Sequence, residues 1–148
     1  MIHEAVEALG NMNNYDTLAL LKKFEKADSP HTEMVRETVE LARDLIIWDR
    51  ETEMGKTEGI DLTKRKIKTN DPAPPFNYWQ DVKYRDVDYL TSVLLDTSQS
   101  LFTRYRALFT LRERMSKASC IAICQTLTEK NFSKCSPLLK HAVAFVLA

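Results

Sequence analysis

The chain has 148 residues, 44% apolar and 28% charged, and its 21 Lys plus Arg balance 21 Asp plus Glu. That composition fits a soluble globular chain, and zero net charge argues against a nucleic-acid coat or a polybasic membrane binder. The longest apolar run, Ala142 to Ala148, is far below the roughly 20 residues of a spanning helix, and Cys120, Cys124 and Cys135 are too few and too odd for a disulfide framework. Met1-Ile2-His3-Glu4 shows no signal peptide, so the expected location is cytoplasmic, with reduced thiols. With three glycines the sequence contains no GxGxxG and no P-loop pattern.

Helical spacing dominates the chain. Met1 to Leu9 reads as a helix stopped by Gly10, and Asn11 to Asn14 as a turn. Leu18, Leu21 and Phe24 predict a helix over Tyr15–Lys26, broken by Asp28-Ser29-Pro30. Met34 to Trp48 is the next helix, with Val35, Val39, Ala42, Leu45 and Ile46 inward. The polar stretch from Asp49 to about Tyr84 ends in Asp71-Pro72-Ala73-Pro74-Pro75, a proline density that favours an extended connection. Helices are expected again over Asp86–Leu95, Leu101–Met115 and Lys117–Glu129. A last one runs from Ser136 with Pro137 at its first position.

The pattern repeats. Met1–Glu7 aligns with Met34–Glu40, 33 residues on, and Tyr105–Leu111 aligns with His141–Leu147, 36 residues on. Helix pairs at that period predict an all-α, HEAT-like α-solenoid of helical hairpins, in two halves joined by a long Pro-containing linker. The expected division is 1–48 and 86–148 for the helical repeats, with 49–85 between them. The helices of His3, Arg36, Tyr105 and His141 would line the concave side. A chain that opens inside one helix and closes in an all-apolar one is expected to be a piece of a longer repeat protein or a truncated gene product. The uncovered last helix leaves self-association open.

His3 and Glu4 are neighbours on a helix, about 100° apart around its axis. Imidazole plus carboxylate is a ligand mix for iron, manganese or zinc. For an isolated dipeptide a solvated or core pair is the commoner role. His141 at the equivalent repeat position raises the metal reading, with a periodic helix boundary as the alternative. Three donors suffice for at most one ion. Cys120 and Cys124, four apart, could face a metal together, but with no second pair they read better as buried thiols. Lys64-Arg65-Lys66 with Lys68 reads as a solvated run ahead of a localisation signal or phosphate contact. Phe76, Tyr78 and Trp79 are expected to pin the connection onto the second half, with a binding role as the alternative. Arg104, Tyr105 and Arg106 either face the cleft or bridge helices. His31 is assigned no role.

Several segments resemble the deoxyhypusine hydroxylase family. His3-Glu4-Ala5-Val6-Glu7-Ala8-Leu9-Gly10 looks like one of its His-Glu helices, and Val35–Ala42 with Trp48 like the following repeat. Asp71–Pro75 is similar to the end of its interdomain linker. Leu94-Leu95-Asp96 with Leu101–Arg112 is the most specific match, and Leu138–His141 with Phe145-Val146-Leu147 looks like the next His-Glu helix. The resemblance implies a two-half HEAT-repeat enzyme with four His-Glu pairs around two irons. Such an enzyme uses molecular oxygen to hydroxylate the deoxyhypusine residue of translation factor 5A, in hypusine biosynthesis. By position the chain spans the second pair to the third. His3, Glu4 and His141 would be iron ligands. Ala142 stands where the family has a glutamate tied to holding the basic substrate. The alternative is a catalytically inactive HEAT-repeat scaffold that binds proteins.

Overall fold

The computed structural model describes residues 2–24, 33–57 and 59–148. The described residues form helices, turns and extended segments, with no strand among them, so the observed class is the expected all-α one. Among them, no helix is long and apolar enough to cross a membrane. The chain divides into two compact units, Met1–Gly59 with Asn70–Ala73, and Ile60–Thr69 with Pro74–Ala148.

In the first unit, α1 (Ile2–Asn11) packs on α3 (Glu33–Glu53), with the one-turn α2 (Leu18–Leu21) beside them. The five inward residues expected on α3 are all buried, and Val39, Ala42 and Ile46 close a core with Val6 and Leu21. Gly10 departs from its expected role as a stop. It lies inside α1 and is buried, where a Cβ would come within 2.9 Å of the Ala42 Cα and Cβ. The left-handed residue past the end of α1 is Asn13, at φ 50°. The Tyr15–Lys26 helix is also shorter than expected, a 3-10 turn over Tyr15–Thr17 followed by α2. There Asn14 accepts from the Asp16 amide at 2.9 Å and the Thr17 hydroxyl donates to the Asn14 carbonyl at 2.6 Å. Such local bonds compete with helical ones. His31, the Asp28-Ser29-Pro30 break and the residues around them lie outside the described residues.

Helix α3 continues past Trp48 to Glu53, because nothing in Asp49–Glu53 breaks a helix. The stop is Gly55, at φ 67°. Its amide donates to the Thr52 carbonyl at 3.0 Å and the Lys56 amide to the Glu51 carbonyl at 2.8 Å, the paired bonds of a Schellman ending. Partial burial, and secondarily Glu53 one turn on, hold the Asp49 carboxyl above its usual range. A raised carboxyl costs stability wherever it is ionised. Asp49→Asn should therefore stabilise the unit by about 0.5 kcal/mol at pH 7, after allowance for solvent screening. The gain should fade as pH falls toward the ordinary value of 3.8, which melting curves at pH 7 and pH 3 would check.

The second unit packs α4 (Val87–Leu95) on α5 (Leu101–Arg114), with α6 (Lys117–Cys124), α7 (Glu129–Phe132) and α8 (Pro137–Leu147) completing it. Short polar residues start the helices. Asp86 accepts from the Asp88 amide at 2.9 Å, Ser100 from Thr103 at 3.2 Å and Ser116 from Ser119 at 3.1 Å. Ser136 accepts from Leu139 at 3.3 Å, with Pro137 at the first helical position as expected. The single helix expected over Lys117–Glu129 is instead α6, a 3-10 turn over Gln125–Leu127 and then α7. There Thr126 and Thr128 hydroxyls bond back to the Ile123 and Gln125 carbonyls at 2.7 and 2.8 Å. Leu90, Leu94, Leu108, Leu111, Leu139 and Val143 are fully buried.

Helix α5 also fastens the polar segment that precedes the helices. Arg106, Thr110 and Glu113 share one of its faces, at i, i+4 and i+7. The Arg106 guanidinium donates to the Pro74 carbonyl at 3.1 Å and the Pro75 carbonyl at 3.4 Å. It also sits 4.5 Å from the centre of the Phe76 ring, which stacks on Tyr84. The Thr110 hydroxyl accepts from the Phe76 amide at 2.7 Å. The Glu113 carboxylate, wholly buried, accepts from Arg65 Nε at 3.1 Å and from the Lys66 and Ile67 amides at 2.9 and 3.4 Å. Arg65 is therefore not part of a solvated run, although Lys64, Lys66 and Lys68 are exposed. Phe76 and Tyr78 are buried within the unit, as expected of anchors.

Candidate metal centre

His3 and Glu4 lie in the first turn of α1, His3 half-buried and Glu4 exposed. Close packing of Gly10 on Ala42 seats the other end of that helix on α3. The side chains therefore project from a braced element, and a carboxylate in a first turn is favoured by the helix dipole. His141 lies on α8, exposed, on the side away from the buried Leu138, Leu139 and Val143. Its neighbour Ala142 is half-buried and brings no charge.

The donors present, two imidazoles and a carboxylate, suit iron in kind. Their number is smaller than an enclosed centre needs. Within either unit, no three His, Cys, Asp or Glu among the described residues are grouped to hold a metal ion. His3 and Glu4 are adjacent in the first unit, and His141 stands in the second.

The other candidates sort differently. Arg104 is buried and bridges helices, donating to the Leu94 carbonyl at 2.8 Å and the Lys134 carbonyl at 2.6 Å. The buried Tyr105 hydroxyl donates to the Leu138 carbonyl at 3.0 Å. Burial pushes the Arg106 guanidinium down to about 10, which leaves it charged at neutral pH. All three are thus framework residues of the second unit. Of the cysteines only Cys135 is buried, and burial raises its thiol. Cys120 and Cys124 are exposed, against expectation, because α6 buries Ser119, Ala122 and Ile123 instead. Their i, i+4 spacing was the signal that they share a face. Sequence reasoning missed Glu113, since nothing near it marks a carboxylate whose partners lie 46 to 48 residues away.

No protein-family model matches the chain. A deoxyhypusine hydroxylase of Kluyveromyces lactis is 40% identical over 144 residues, covering 97% of this chain and 41% of the relative. That of Saccharomyces cerevisiae is 38% identical over 144 residues, covering 97% and 40%. Among solved structures, human deoxyhypusine hydroxylase in complex with glycerol matches with a TM-score of 0.74 and 33% identity, over 97% of this chain and 43% of the human one. The chain thus spans about two fifths of the length of the curated relatives it matches. Across nearly all of its residues it is thus similar, in sequence and in helical fold, to a part of the deoxyhypusine hydroxylases.

Proposed function

We propose that the chain is the part of a deoxyhypusine hydroxylase-like di-iron monooxygenase that carries His3, Glu4 and His141 as metal ligands. Its substrate is the deoxyhypusine residue of translation factor 5A, its co-substrate is molecular oxygen, and it acts in the cytoplasm. The observation that carries this reading is 40% identity over 97% of the chain to a protein of that name. The helical repeats would be 1–48 and 86–148, with 49–85 connecting them.

Iron, when bound, supplies activation of oxygen for hydroxylation of an unactivated carbon. The chain supplies position and charge. A His3 ring nitrogen and the Glu4 carboxylate are presented from successive residues of one rigid turn, so little side-chain freedom remains to be lost on binding. His141 is presented from a helix whose start is fixed by Ser136 and Pro137. Ala142 contributes no attraction to a cationic substrate amine, which a carboxylate at that position would supply.

The test is a chimera in which this chain replaces the aligned segment of the Kluyveromyces lactis relative. With Ala142→Glu, the chimera is expected to hydroxylate the deoxyhypusine-bearing factor in the presence of oxygen. His3→Ala in the same chimera should lower turnover at least about 100-fold and reduce bound iron. No product from a folded, iron-loaded chimera carrying Ala142→Glu would overturn the proposal.

A further inference from the structure

Cys120 and Cys124 take no part in the packing of the second unit or in the proposed iron site. Helix α6 begins at a firm Ser116 cap and carries them one turn apart, both exposed. Residues so spaced have Cβ atoms about 5–6 Å apart on one face. Burial, and secondarily the neighbouring Cys120, push the Cys124 thiol up.

Cys120 also opens onto a cavity of about 470 Å³ whose lining includes Arg112 and Lys117 over Leu111 and Ile123. Soft thiolates select soft ions, among them Cu(I) and Zn(II). Zinc normally takes four protein donors in a closed site. The remaining cysteine, Cys135, is buried, its thiol 3.8 Å from the Thr126 carbonyl. No group of three His, Cys, Asp or Glu able to hold a metal ion occurs among the described residues. Two cysteine sulfurs with no third His, Cys, Asp or Glu grouped with them among the described residues fit an ion content with two-coordinate, linear geometry.

We propose that Cys120 and Cys124 form a dithiolate site for Cu(I). Each thiol gives up one proton to solvent, two S–Cu bonds form, and no electron is transferred. The complex carries one net negative charge, and Arg112 and Lys117 line the same cavity as Cys120. The site is independent of the iron ligands and of the hydroxylase reading.

The test is competition between the full chain and bicinchoninate for Cu(I), without oxygen and with ascorbate present. The wild-type chain is expected to take up one Cu(I), release two protons and stay monomeric by light scattering. Cys120→Ser and Cys124→Ser should each weaken uptake by at least about 100-fold, as loss of a chelate arm does. Cys135→Ser should leave uptake unchanged. Cys124→Ala, with circular dichroism on every variant, guards against an effect of serine on α6 itself. The proposal is overturned if bicinchoninate keeps all the copper, if Cys135→Ser weakens uptake as much as Cys120→Ser, or if copper arrives with dimerisation. It is also overturned if Zn(II) is held by the wild type far better than by Cys124→Ser.

Discussion

Replacing Glu113 by alanine is expected to destabilise the second unit by about 3–5 kcal/mol, the cost of leaving one partner of a buried ion pair uncompensated. Glu113 is wholly buried and the Arg65 side chain is 8% exposed, so water cannot readily take over the lost contacts. The substitution also strands the Lys66 and Ile67 amides, each of which loses its carboxylate acceptor. Glu113→Gln should cost less, because its amide oxygen still accepts. Urea denaturation followed by circular dichroism measures both. A double-mutant cycle with Arg65→Met separates the penalty of the stranded guanidinium from the loss of the amide bonds. If Glu113→Ala on the Arg65→Met background is nearly as costly as on the wild type, the amide bonds carry the effect.

The second large effect concerns Gly10. Glycine inside a helix normally gives up about 1 kcal/mol against alanine, so Gly10→Ala at an open site would stabilise. Here the added Cβ would lie 2.9 Å from both the Cα and the Cβ of Ala42. The helix backbone of α3 must move, and the expected result is a loss of about 1–3 kcal/mol. Gly10→Val should be worse, since its branch cannot rotate away from the clash. Ala42→Gly should rescue Gly10→Ala only in part, because the main chain at position 42 still stands in the way of the new methyl group. Thermal melts of the two single variants and the double variant decide this. A raised melting temperature for Gly10→Ala would mean that α1 can slide on α3 at little cost.

These two residues also mark where sequence reasoning stopped. The inward stripe of α3 and the start of α8 at Ser136-Pro137 were legible because periodicity and capping are local. Gly10 looked like a stop because glycine commonly follows a helix, and only the proximity of Ala42 shows that it is there for want of a side chain. Arg65 sits among lysines and looked solvated, since its partner lies 48 residues away. On α6 the sequence Ser119-Cys120-Ile121-Ala122-Ile123-Cys124 is nearly apolar all round, which leaves its buried face undetermined. Packing chose Ser119 and left Ile121 51% exposed. Of the candidate ligands, the placement of His3 and Glu4 together in a helix was legible. A grouping of three donors depends on tertiary packing that no spacing encodes.

The face of α5 formed by Arg106, Thr110 and Glu113 has a further meaning for how the connecting segment can vary. Apart from Arg65 and the Phe76 ring, it holds that segment by main-chain groups, taking amides at 66, 67 and 76 and offering a guanidinium to the carbonyls of 74 and 75. The exposed side chain of Lys66 is thus free to drift. Imino acids are not interchangeable along it: Pro74 and Pro75 stand where only a carbonyl is used, whereas proline at 66, 67 or 76 would remove a donor the helix depends on.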